Sequence, residues 1–122
     1  MIVDVSIGEV IDKITILQIK SEKFNDEDKR KNVNTELNLL SSLLPSDDRI
    51  SKYISALKEV NERLWEIEDD IRLCEKDDKF DEAFIELARS VYKTNDIRAS
   101  IKKQINVEFN SEIIEEKGYE QY

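Results

Sequence analysis

The sequence predicts an all-α fold, an antiparallel up-down bundle of four main helices with a short C-terminal helix or tail, in a single domain over residues 1–122. Three observations carry this. Only 2 Gly and 1 Pro in 122 residues leave almost no turn formers for a multi-stranded sheet. Ile, Leu, Val and Phe fill 37 of the 122 positions, enough for a core although 39% of the chain is charged. The apolar residues also recur at steps of three and four, the period of a helix with one buried face.

Each element follows from its own signals. Ile2, Val3 and Val5 alternate with Asp4 as a short extended arm, and Ser6-Ile7-Gly8-Glu9 has the S-x-x-E capping-box pattern that opens helix 1. Its stripe is Ile7, Val10, Ile11, Ile14 and Leu17, continued by Phe24 up to the polar turn Asn25–Asp28. Val33, Leu37, Leu40 and Leu44 form the stripe of helix 2, which ends at Pro45. Ser46-Asp47-Asp48 supplies caps for the longest element, with Ile50, Tyr53, Leu57, Val60, Leu64, Ile67, Ile71 and Cys74 as an unbroken seam. A break at Lys76–Lys79 precedes helix 4, whose seam of Phe84, Leu87, Val91, Thr94, Arg98, Ile101 and Ile105 turns polar in the middle. A short helix around Glu112 to Lys117 is expected after the Asn110-Ser111 signal, with Gly118 as its left-handed end.

Charge and composition exclude several functions. With 28 acidic and 19 basic residues the net charge is −9, and the longest basic run is Lys29-Arg30-Lys31, so neither nucleic acid nor an anionic membrane is an expected partner. The start of the chain lacks a signal-peptide pattern and no stretch approaches the ~20 apolar residues of a membrane span, which predicts a soluble, cytoplasmic protein. Cys74 is the only cysteine, so no intramolecular disulfide can form. The absence of His removes Ser-His-Asp and Cys-His catalysis within one chain.

Antiparallel pairing of helices 3 and 4 about residue 79 makes the numbers of facing residues add to roughly 158. Arg72 then faces Glu86 and Arg89 faces Asp69, as interhelical ion pairs or as an anion clamp. Arg98 falls beside Val60 and Asn61, with Asn95 and Lys102 on its own face. A guanidinium in an apolar seam must be paired or reach water. It is therefore either satisfied by Glu62 or another carboxylate, or it lines a site for an anionic ligand formed by Lys13, Asn61, Asn95, Arg98 and Lys102. Lys13 could instead cover apolar surface with its stem. Glu62, Glu66 and Asp69 share one helix face and could hold Mg²⁺ through oxygen ligands, or simply form a solvated acidic face. Trp65 reads as a widening of the core stripe, Cys74 as a small buried hydrophobe, and Tyr119 and Tyr122 as anchors that dock the tail onto the bundle.

The segments Val5–Leu17, Leu64–Arg72, Glu86–Tyr92 with Thr94-Asn95-Asp96 and Arg98, and Glu115-Glu116-Lys117 with Tyr119 and Tyr122 resemble, in order and over nearly the whole chain, a family of small bacterial and phage proteins catalogued as a domain of unknown function. The resemblance implies no activity, cofactor or catalytic residue. The expectation is therefore a protein-protein interaction or accessory module, with a homodimer or a protein partner, because two long adjacent helices leave apolar surface for a second copy. The alternative is binding or processing of a small anionic metabolite, a sugar phosphate or a nucleotide, at the polar layer. A weaker alternative is a Mg²⁺-dependent phosphohydrolase.

Overall fold

The computed structural model describes residues 1–122 and contains four helices and no strand. These are α1 (Ile7–Lys23), α2 (Glu27–Ser41), α3 (Asp48–Lys76) and α4 (Glu82–Glu108). Each starts at a side-chain cap that satisfies backbone donors at the helix mouth. Ser6 accepts from the Glu9 amide of α1, Asp26 from Asp28 and Lys29, Asp47 from Arg49, and Asp81 from Ala83.

α3 and α4 both end in left-handed closures built on residues other than glycine. Asp78 and Asn110 have φ near 52°, the Lys79 amide donates to the Cys74 carbonyl at 2.9 Å, and the Ser111 amide donates to the Asn106 carbonyl at 2.8 Å. This second closure replaces the expected terminal helix. After Asn110 the chain runs as an irregular tail, Gly118 has no positive φ, and six helix-competent residues are too few to nucleate an isolated helix.

α3 and α4 form an antiparallel hairpin in the expected register, since Tyr53 donates to Glu108 at one end and Asn61 and Arg98 meet the same carboxylate further along. α1 lies along this hairpin and contacts both of its helices, whereas α2 packs on α1 alone. The expected adjacency of helices 2 and 3 is thus absent, and Ser21 and Asn34 tie α2 to α1 at 2.9 Å. The core is Ile11, Ile50, Tyr53, Leu57 and Ile105, with Ile7, Leu44, Ile54, Ile101 and Phe109 packed around it.

α1 covers only half of the hairpin. At ~1.5 Å per residue a helix of 29 residues is about 43 Å long and one of 17 about 26 Å. Consequently no residue between Asn61 and Thr94 is buried. Leu64, Ile67, Ile71 and Cys74 in α3 and Phe84, Leu87 and Val91 in α4 are half-buried against each other, while Leu73, Phe80 and Ile85 are exposed. Cys74, expected in a closed core, therefore sits in an open seam.

Candidate functional site

The polar layer lies where α1 crosses the hairpin, and its hub is Asp12. The carboxylate is fully buried in the α1 face between Ile11 and Ile14, which orient it toward α3 and α4. A buried carboxylate is tolerable only if paired and hydrogen-bonded. Arg98 Nε donates to Asp12 Oδ1 at 3.0 Å and its Nη2 donates to Oδ2, a two-pronged guanidinium–carboxylate contact. Asn61 Nδ2 donates to Asp12 Oδ1 and to Thr15 Oγ1, both at 2.9 Å, and Thr15 Oγ1 donates to the Asp12 carbonyl at 2.7 Å. One α1 residue thus collects groups from α3 and α4.

Lys102, one helical turn from Arg98, is the second centre. Its Nζ lies 2.7 Å from Glu9, 3.3 Å from Glu115 and 3.8 Å from Asp12, with 8% of the side chain exposed. Burial pushes this ammonium down, but the hydrogen bond that it donates to Glu9 and the charges of Asp12, Glu9 and Glu115 outweigh it and raise it above its ordinary value. The bond to Asp12 raises Arg98 despite its burial. Beside Lys102 the start of α1 meets the end of α4 and the residues after it: the Gly8 amide donates to Asn106 Oδ1 at 2.7 Å, and the Ile7 amide donates to Ser111 Oγ at 3.2 Å.

The tail closes over this region. Glu115 bridges Lys102 and Lys117, Glu116 lies 3.0 Å from Lys103, and Tyr122 donates to Asp96 at 2.7 Å while its ring meets Tyr92 edge-on at 5.4 Å. Of the two expected anchors, only Tyr122 makes such contacts, and both it and Tyr119 stay exposed, so the tail rests on the surface of α4. A groove of about 490 Å³ runs between α4 and the tail, walled by Tyr92, Asn95, Arg98, Lys102, Lys117 and Tyr119. A second groove of about 490 Å³ opens on the opposite side of Arg98, lined by Asn61, Trp65, Arg72, Asn95 and Arg98.

Four of the five expected ligand-site residues, Asn61, Asn95, Arg98 and Lys102, are therefore together. Lys13 is not: it points outward and pairs with Glu36 of α2 at 3.6 Å. The partner of Arg98 is Asp12, whereas Glu62 faces Lys58 at 3.8 Å. Arg72 and Arg89 also differ from expectation, since Arg72 pairs with Glu68 and Arg89 with Glu86, each within its own helix. Both are exposed, and a partner three or four residues away is met without fixing a second helix. Glu62, Glu66 and Asp69 stay together on α3, and no group of three His, Cys, Asp or Glu side chains is placed to hold one ion.

The sequence left Asp12, Glu9, Asn106 and Lys117 without these roles. The available signal was charge matching between helices: Glu9 and Asp12 on α1 at a spacing of three answer Arg98 and Lys102 on α4 at a spacing of four, one turn in each case. No helix is long and apolar enough to cross a membrane. No curated protein and no solved structure matches the chain. Its whole length, residues 1–122, matches the family of unknown function DUF6165, and the chain belongs to that family.

Proposed function

We propose that this chain is a protein-interaction module whose docking surface is the end of the α3–α4 hairpin beyond the polar layer. The supporting observation is the half-built seam: between Asn61 and Thr94 the hairpin carries eleven large apolar residues, counting Trp65 and Tyr92, and buries none of them. Two helices alone cannot enclose a core, and exposed apolar patches of this kind mark interaction sites more often than solvent faces. The buried layer bears on the choice as well. Arg98 already has the buried Asp12 carboxylate as its partner, so it is poorly disposed to clamp a free anion. The net charge of −9 favours a partner with a basic rim around an apolar centre.

The test is the double variant Phe80→Glu with Ile85→Glu, both at exposed positions. Light-scattering mass and affinity capture are measured beside thermal unfolding. The expected result is loss of the self-associated species, or of a captured protein, with the melting temperature unchanged. A wild-type chain that is monomeric at high concentration and captures nothing that the double variant loses refutes the proposal.

A further inference from the structure

The face of α4 under the tail differs in character from the Arg98 pair. It forms a cavity of about 550 Å³ whose lining includes Lys102, Lys103, Asn106, Glu115, Lys117 and Tyr119. Two consecutive tail carboxylates rest on two consecutive lysines: Glu115 on Lys102 at 3.3 Å and Glu116 on Lys103 at 3.0 Å. The tail thus lays carboxylates on the lysines of α4, in a cavity whose lining also includes Asp96 and Glu120.

Asn106 supplies an independent observation. It lies one turn beyond Lys102, is 1% exposed, and its Oδ1 accepts from Gly8. Its Nδ2 is the buried side-chain polar atom without a hydrogen-bond partner. Buried donors in folded proteins are nearly always satisfied, and each exception calls for a physical reason. An ammonium and an unmatched amide one turn apart in the same cavity suit an oxygen-rich anion.

We propose that this cavity binds a small anionic group, a carboxylate or a phosphate, which takes Lys102 Nζ as its counter-charge and Asn106 Nδ2 as a donor and displaces Glu115. Glu115 is the exchangeable partner of the three carboxylates around Lys102. Asp12 is committed to Arg98 and Asn61, and Glu9 holds Lys102 at 2.7 Å from within α1. Glu115 instead approaches from an irregular segment and at the longer distance of 3.3 Å. Binding then releases this carboxylate, which makes the tail a reporter of occupancy. This site is independent of the hairpin end and survives if that reading fails.

The experiment is an amide and side-chain NMR titration of the full chain with inorganic phosphate and, separately, with acetate, at ionic strength held constant by chloride. The expected result is a saturable shift of the Asn106 side-chain resonances and of the amides from Glu115 to Tyr119; the tighter of the two anions identifies the ligand class. Glu115→Gln should bind severalfold tighter, because an intramolecular competitor lowers apparent affinity by the fraction of time that it occupies the site. Lys102→Met should abolish the shift in a folded chain. Shifts that merely track salt, or that saturate elsewhere, overturn the proposal. So does a Glu115→Gln chain that binds no more tightly, whether or not Lys102→Met folds.

Discussion

Gly8→Ala tests the tight approach of α1 to α4, because local and tertiary physics predict opposite signs. Within a helix, alanine is favoured over glycine by up to about 1 kcal/mol. On propensity alone the variant should be more stable. In the folded protein, however, a Cβ at position 8 would lie 2.6 Å from the Lys102 carbonyl oxygen, 3.2 Å from the carbonyl carbon and 2.9 Å from Asn106 Oδ1. Two of these atoms are backbone within α4 and cannot swing away, so α1 must shift. Over-packing of this kind costs about 1–3 kcal/mol. The same shift stretches the Gly8–Asn106 hydrogen bond, adding about 1 kcal/mol. Set against the propensity gain, the expected net loss is about 1–3 kcal/mol. Urea unfolding followed by circular dichroism should give a lower midpoint with an unchanged slope. A Gly8→Ala chain as stable as the wild type, or more stable, would show that α1 and α4 are not in backbone contact and would remove the basis of the polar layer.

Two further outcomes concern the ion pairs. Asp12→Ala leaves the Arg98 guanidinium without its partner and should cost about 3–5 kcal/mol, whereas adding Arg98→Met to an Asp12→Leu chain should restore most of that; a single-variant loss below about 1 kcal/mol in denaturant melts would contradict a buried pair. For the tail, burial raises the Glu115 carboxyl but the charges and hydrogen bonds of Lys102 and Lys117 outweigh it and hold it below its ordinary value of 4.5. A depressed acid stabilises the docked state fully above that ordinary value and loses the contribution as pH falls through its folded value. Limited proteolysis should therefore find the tail protected at neutral pH and increasingly cleavable below about 4.5. Lys102 is raised above 10.5, so its contribution persists up to that pH and fades only in stronger alkali. Tail protection that is equal at pH 7 and at pH 3 would exclude Glu115 as the clasp.

The helices were legible because their signals are local. Ser6 and Asp47 cap as their positions suggest, Asp26 caps from within the polar turn before α2, Asp81 caps α4 after the break, and Pro45 follows the end of α2. The hairpin register was legible because a short turn between two long helices fixes it. What stayed hidden depends on the third dimension. Glu9 completes an S-x-x-E pattern, but its carboxylate turns to Lys102 across the α1–α4 contact. Asp12 only adjoins the apolar stripe in sequence, yet α1 is buried over an arc wide enough to enclose Asp12 and Thr15 as well as Ile11 and Ile14. The seam of α3 reads as uniform over eight positions, and nothing in its period reveals that α1 stops halfway, leaving only Ile50, Tyr53, Leu57 and Val60 buried. Arg98 announced a polar layer because a charge interrupted an apolar repeat, but the identity of its partner required the packing of α1.

The contacts that seat α1 join the two ends of the chain: Asp12 to Arg98, Gly8 to Asn106, and Ile7 to Ser111. During synthesis, α1 leaves the ribosome before α4, so Gly8 and Asp12 lack their α4 partners even after α2 and α3 have packed on α1. Closing so long a loop before these contacts form slows folding relative to a bundle of sequential neighbours. A nascent chain stalled before residue 98 would leave the Asp12 carboxylate without its cations and the α4 side of the core open to chaperones and to other chains, and folding should complete as one late event.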